Sequence, residues 1–233
     1  MNLLILAAGG GTRLRPFTEN IPKCLFKLGR NATILSRAID GFRRRGTARV
    51  CVVTGFMHDA VEQHTPDVEH VYNPFHGVTN SVASLWFARE YLDDDCVIIN
   101  GDVVMEDALV GAIVEMDHPA LVLIDSSRGA GADYKVATHE DHVVMMSKDL
   151  HTFTGEYVGV TKLDQESALL LRTEVDSMVH AGQTDEWYEN ALVRMVLNQD
   201  FNLGFVDIPQ FHWTEVDTAD DILAARKIYE RDA

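Results

Sequence analysis

Cysteine is scarce in this chain: three in 233 residues, at positions 24, 51 and 96, each in or beside an apolar run. No Cys-x-x-Cys pair and no Cys/His spacing suited to a metal occurs. That excludes a disulfide framework and a structural zinc site, and it fits buried thiols in a reducing compartment. Long apolar runs are also missing, and none approaches the roughly 20 residues of a membrane span. The opening Met-Asn-Leu-Leu-Ile-Leu-Ala-Ala has no basic residue ahead of its apolar stretch, so it reads as a strand and not as a signal peptide. A cytoplasmic chain that meets no membrane is expected. Positive charge is the third shortage, with 20 Lys and Arg against 36 Asp and Glu and a formal net charge of -16. A nucleic-acid surface needs a basic face, so no nucleic-acid partner is expected. Small anions stay possible, because a cationic pocket can sit inside an acidic envelope. Internal repeats, low-complexity tracts and linkers are absent as well.

What is present is an alternation. Strand-length runs of Val, Ile and Leu fall at residues 3–7, 49–54, 69–73, 96–100 and 120–125. Helix-period segments lie between them at 34–45, 58–64, 81–92 and 107–116. Nearly continuous apolar strands suit a parallel sheet covered on both faces, and the alternation predicts an α/β fold with a doubly wound, mostly parallel, Rossmann-like sheet. After Ser126 the rhythm changes. A flexible turn with hinge-permitting Gly129 and Gly131 leads into a hairpin that reverses at His139-Glu140-Asp141-His142. Further strands are expected at 156–163 and 202–208, and helices at 165–180, 186–198 and 219–231, the last capped by Thr218. The expected plan is one domain over residues 1–233, with a small antiparallel β insertion at 127–163 covering one end of the sheet.

The first strand runs into Gly9-Gly10-Gly11, and cations follow at Arg13, Arg15, Lys23 and Lys27. Glycines after a strand let the backbone approach a ligand closely with bare N–H groups aimed at an anion. The Walker A pattern is missing. The dinucleotide fingerprint fails too, since Leu14 stands where its third glycine belongs and no acid ends the second strand. A plain structural turn would leave the following cations unexplained. Leu6-Ala7-Ala8-Gly9-Gly10-Gly11-Thr12-Arg13-Leu14-Arg15-Pro16 with Pro22-Lys23-Cys24-Leu25 resembles the opening motif of the nucleotidyltransferase (nucleoside-diphosphate-sugar pyrophosphorylase) superfamily. The resemblance implies transfer of a nucleotidyl group from an NTP to an anionic acceptor, with pyrophosphate leaving. Residues Leu6 to Thr12 would then cradle the triphosphate, Arg13 would grip its outer phosphates, and Lys23 would neutralise the phosphate under attack. Arg15, Lys27 and Arg30 read as solvated cations.

A triphosphate handled as a magnesium complex needs carboxylates beside it. Asp102 follows an apolar strand that ends in Asn100-Gly101, at the carboxyl edge of the sheet. Asp217 lies in Trp213-Thr214-Glu215-Val216-Asp217-Thr218, where it could instead cap the last helix. The superfamily resemblance supports both as Mg2+ ligands, with Asp102 also counted as catalytic; Glu215 has an open role.

Further segments resemble small cytidylyltransferases acting on phosphocholine or phosphonates: residues 73–74 with 79–85, then 133–136, 147–148, 155–160 and 187–191. They imply CTP as donor and a small phosphonate or phosphorylated alcohol as acceptor. Asn80, Ser81 and Ser84 could read the pyrimidine edge or cap a helix. For a phosphonate the insertion offers Lys135 and Lys148. For phosphocholine the carboxylate of Glu156 and aromatic faces such as Tyr188 would serve. A hexose-1-phosphate enzyme using UTP, dTTP or GTP and a non-catalytic nucleotide-binding subunit are the other readings. A monomer or homodimer is expected.

Overall fold

The structure, a computed structural model, describes residues 1–129 and 131–232. Its strands in chain order are β1 (Asn2–Leu6), β2 (Arg49–Thr54), β3 (Glu69–Tyr72), β4 (Cys96–Asn100), β5 (Val103–Met105) and β6 (Ala120–Asp125). They continue with β7 (Lys135–His139), β8 (His142–Ser147), β9 (Gly155–Leu163), β10 (Gly204–Asp207) and β11 (Trp213–Glu215). The helices are α1 (Ile34–Arg43), α2 (His58–His64), α3 (Ser81–Phe87), α4 (Asp107–Glu115), α5 (Gln165–His180), α6 (Glu189–Asn198) and α7 (Ala219–Arg231).

Nine strands form one sheet in the order β3-β2-β1-β4-β9-β6-β10-β8-β7. Strands β3, β2, β1 and β4 are parallel, and β6 pairs parallel with β10. Side chains of β1 alternate between two cores. Leu4 packs with Ile98 and Val122 under the face covered by residues of α3, α5 and α6, whereas Leu3 and Ile5 pack with Val97 and Ile99 under α1 and α4. Burial on both faces is why these strands read as unbroken apolar runs. A third cluster joins Leu14 of the opening motif and Phe26, which follows it, to Val216 and to Ala225 and Ile228 of α7.

The segment 127–163 is distributed in a way its sequence does not announce. Strands β7 and β8 form a hairpin at the sheet edge, reversing at Glu140 in the left-handed region (φ 52). The following β9, however, runs antiparallel between β4 and β6 in the middle of the main sheet. Its Gly159, at φ 78, lies between residues paired with Ile124 and with Val122, where the register with β6 shifts, and there a side chain would meet Val103. The hinge expected at residues 129–131 spans position 130, which lies outside the described residues. Helix α6 begins at Glu189, not 186, and the 81–92 segment divides into α3 and a 3-10 turn at Arg89–Tyr91. A two-stranded ribbon of β5 and β11, unforeseen in the sequence, lays residues 213–215 against the chain just past β4. Among the described residues no helix is long and apolar enough to cross a membrane.

Gly101 is required by packing. A Cβ there would lie 2.8 Å from the Ala7 Cβ and 2.9 Å from both the Ala7 Cα and the Leu6 carbonyl oxygen. Gly101→Ala should therefore destabilise the protein by about 1–3 kcal/mol, the usual cost of overpacking against backbone. Urea unfolding measures it, and an unchanged midpoint would show that the two strand ends separate freely.

Candidate active site

The strand order turns back on itself between β1 and β4. The chain leaves β1 outward to β2 and β3, then returns to β4 on the other side, and open α/β sheets bind ligands at the carboxyl ends of strands flanking such a reversal. The glycine turn emerges there, clamped from both sides. Ala7 N donates to Val53 O (2.9 Å), Phe56 N to Ala8 O (3.0 Å) and Gly101 N to Leu6 O (2.9 Å). Gly9 is exposed, and a Cβ on it would meet nothing within 4 Å, so packing does not demand glycine; close approach of a ligand would. Gly11 is in the left-handed region (φ 57), and its carbonyl accepts from the Thr18 hydroxyl at 2.7 Å. That turn feeds a 3-10 turn at Thr12–Leu14, which buries Leu14 and leaves Arg13 facing out. A second 3-10 turn, Lys23–Leu25, follows Pro22 and opens on Lys23.

These parts wall a cavity of about 430 Å³. Its lining includes every nucleotide-side residue expected from the sequence, Leu6 to Thr12 with Asn80, Ser81 and Ser84, together with Arg13, Lys23, Asp102 and Asp217. At its centre the Lys23 Nζ lies 2.6 Å from Asp102 Oδ2 and 2.7 Å from Asp217 Oδ1. Arg13 reaches the other Asp217 oxygen at 2.8 Å. Burial alone would lower the Lys23 pKa, but the two carboxylates outweigh it and hold the ammonium above its ordinary value. Burial, and then the charges of Asp102 and Asp217, push the neighbouring Glu215 carboxyl upward. Thr218, not Asp217, caps α7, by a reciprocal pairing with Asp221, and this leaves the Asp217 side chain free for the site.

The carboxylates fit a hard divalent cation. Asp102 Oδ1 is buried without a hydrogen-bond partner, and Asp133, Glu215 and Asp217 each bring an oxygen within 4.8 Å of the others. Oxygen donors without sulfur or imidazole suit magnesium.

The base-side residues have structural partners as well. Asn80 caps α3 by accepting from Ser81 N (2.8 Å), Ser81 Oγ accepts from Tyr188 N (2.8 Å), and Ser84 Oγ accepts from Asn73 Nδ2 (3.1 Å). Capping and cavity lining thus coexist in Asn80. The residues expected at the acceptor separate. Lys148 donates to Asp133 (2.8 Å) with its ammonium 4.9 Å from the Trp187 ring centre, and Lys135 donates to the Lys148 carbonyl (3.0 Å). Glu156 accepts from Asp133 N at 2.7 Å. Lys148 and Glu156 meet at Asp133, with Lys135 held on Lys148; none of the three is in the cavity lining, and Asp133 in turn lies 3.5 Å from Arg13.

Tyr188 must be withdrawn from the acceptor set. It is fully buried, its hydroxyl bonded within a Tyr157–Thr161 group in the core, so no substrate reaches it. Trp187, its exposed neighbour in sequence, lines the cavity instead. Trp187 is among the aromatics the sequence offers for an acceptor; His76 and Glu189, both in the lining, are not singled out by it. Burial pushes the Glu189 carboxyl up to about 7, and one of its oxygens has no partner. Its signal lay in Trp187-Tyr188-Glu189-Asn190, where an acid stands beside two aromatics at a helix start. Arg15, Lys27 and Arg30 are exposed.

The family model for the MobA-like NTP transferase domain matches residues 3–159. The chain is 22% identical to the CTP:phosphoglutamine cytidylyltransferase of Campylobacter jejuni, over 95% of this chain and 98% of that protein. It is 24% identical to the choline-phosphate cytidylyltransferase of Streptococcus pneumoniae over 83% of each. Among solved structures, the CTP:phosphocholine cytidylyltransferase from Streptococcus pneumoniae has the same fold, with a TM-score of 0.81 at 19% identity over 98% of both chains.

The placement of Tyr188 has a direct test. Tyr188→Phe should cost about 1 kcal/mol of stability, the usual worth of a buried hydrogen bond. The acceptor KM should stay unchanged, and a raised KM in steady-state assays would return Tyr188 to the site.

Proposed function

Because the chain belongs to the MobA-like NTP transferase family, and is thereby a nucleotidyltransferase, we propose that it moves CMP from CTP to a small phosphonate or phosphorylated alcohol and releases pyrophosphate. The observation that carries this reading is the convergence of the glycine turn, Arg13 and Lys23 with Asp102 and Asp217 on one cavity. Similarity to cytidylyltransferases along most of the chain supports the choice of CTP.

An acceptor phosphate or phosphonate oxygen is already ionised at neutral pH, so little general-base work is required. What limits the reaction is bringing two polyanions together and stabilising the charge that develops in transfer. The acceptor oxygen bonds to the α-phosphorus as the bond to the bridging oxygen of the β-phosphate breaks, and that oxygen departs with pyrophosphate. Backbone N–H groups of residues 9–12 and the Arg13 guanidinium hold the β- and γ-phosphates. Lys23 exchanges its carboxylate partners for the α-phosphate oxygens. Asp102 and Asp217 would hold Mg2+, which when bound supplies positive charge to the triphosphate oxygens. Asn80, Ser81 and Ser84 border the space for the base.

On the acceptor side, Lys148, over the Trp187 ring, would exchange its partner Asp133 for an anionic acceptor. The same contact favours a second reading. A half-exposed indole face that accepts an ammonium would also accept the quaternary ammonium of phosphocholine.

The test is pyrophosphate release with Mg2+, each of the four common NTPs, and a panel of small phosphonates, phosphocholine and hexose 1-phosphates. CTP with a small phosphonate or phosphorylated alcohol should give the highest kcat/KM. UTP or dTTP with a hexose 1-phosphate in first place would overturn the donor and acceptor assignments, and no release with any pair would overturn the proposal. Lys23→Ala should lower kcat by about 10²–10³-fold, as expected for loss of a group aimed at developing charge, with a native circular dichroism spectrum.

A further inference from the structure

We infer that Asp125 and Trp213 are positioning residues, which set the Asp217 carboxylate by fixing the register of β11. This rests on the reading of Asp217 as a carboxylate for the divalent cation.

Asp217 follows a strand of only three residues, paired to an equally short partner through Trp213 with Met105, Thr214 with Val104 and Glu215 with Val103. Beyond the ribbon, Val216 N donates to Asp102 O at 3.0 Å. A ribbon this short does not hold its own register, and a slip of one residue would turn every side chain to the opposite face. The far end of β11 is held much more firmly. The Trp213 indole N–H donates to Asp125 Oδ2 at 2.8 Å, inside the protein. The other Asp125 oxygen accepts from Ser127 N (2.9 Å) and Ser127 Oγ (2.6 Å). Arg128 closes the group: its guanidinium lies 4.7 Å from the indole centre, its Nη2 donates to the Trp213 carbonyl at 3.1 Å, and its Nε is 3.5 Å from Asp125. Trp213 is thus gripped at its ring nitrogen, its face and its backbone. Asp125 ends β6, inside the main sheet, so the grip ties the ribbon to that sheet.

A buried carboxylate is a poor choice for stability alone, because its desolvation is costly and an apolar contact would pack the indole as well. It is a good choice for register. Any slip that removed the indole N–H would leave a charged oxygen buried with a lost partner, a penalty that an apolar pocket would not impose. Asp217, in direct reach of Lys23 and Arg13, is the residue that gains from this selectivity.

The experiment measures Mn2+ binding to the protein without nucleotide, by electron paramagnetic resonance of the free ion, beside thermal melting. Trp213→Phe keeps an aromatic ring and removes the N–H together with the pyrrole part of the indole; Asp125→Ala removes the acceptor. Each should weaken Mn2+ binding by about tenfold or more, the scale seen when groups that orient metal ligands are lost. Asp125→Asn, which keeps an oxygen for the indole, should recover most of that loss. Leu171→Ala, a cavity in α5 remote from the ribbon, should lower the melting temperature and leave Mn2+ affinity as in wild type. Wild-type Mn2+ affinity in Trp213→Phe overturns the inference, and so does an equal loss in Leu171→Ala. Asp125→Ala adds to the comparison where it folds; Trp213→Phe decides where it does not. Asp217→Asn separates the two levels. If it binds Mn2+ like wild type, the metal reading falls; if it loses binding while Trp213→Phe does not, only the positioning role falls.

Discussion

Asp102 and Asp217 meet across a single ammonium, that of Lys23, in a pocket where all three side chains are less than one-fifth exposed. Two carboxylates so close in a partly buried place repel strongly, and each has given up hydration to be there. The arrangement holds because a cation is fixed between them and a second, Arg13, touches one from outside. The three residues come from the start, the middle and the end of the chain. Everything that brings them together is in effect the support of one unfavourable charge cluster. The bound triphosphate would enter this balance by offering phosphate oxygens to the two cations.

The supports are apolar and are distributed over both faces of the sheet. Strands β1 and β4 lie side by side between two cores, so the loops that leave them emerge together. The third cluster then fastens the loop bearing Lys23 to α7 and to Val216, one residue before Asp217. Two glycines illustrate a division of labour. Gly101 is small because the strand ends are packed too closely for a side chain, whereas Gly9 has open space around it and packing places no demand on it.

Much of this was legible in the sequence, because its strongest signals are local. Apolar runs at strand length revealed the parallel strands, and the Leu6–Leu25 motif pointed to the glycine turn and the two cations that line the cavity with it. Asp102 was readable because Gly-Asp directly follows an apolar strand. What escaped depends on long-range pairing. The apolar strand β9 could as well have belonged to a peripheral hairpin as to the sheet centre, since either place buries it. The β5–β11 ribbon is too short to have a period. Tyr188 and Trp187 show the same limit at single-residue scale: adjacent aromatics at a helix start look equivalent, yet the turn sends one into the core and the other to the cavity. The sequence offers Lys135 and Lys148 as acceptor cations but not their partners, the Lys148 carbonyl and Asp133.

The place of β9 has a consequence for how the molecule is made on the ribosome. Strands β1 to β4 can zip together in order as they leave the exit tunnel, each beside a neighbour already present. β6 cannot, because its inner partner, β9, is synthesised only after the β7–β8 hairpin has been translated. Until then the edge of β4 and both edges of β6 stand unpaired, the kind of backbone that recruits stray strands from other chains. A nascent chain stalled within the hairpin would therefore hold a nearly complete glycine turn on a sheet missing its central strand, with sticky edges on either side of the gap.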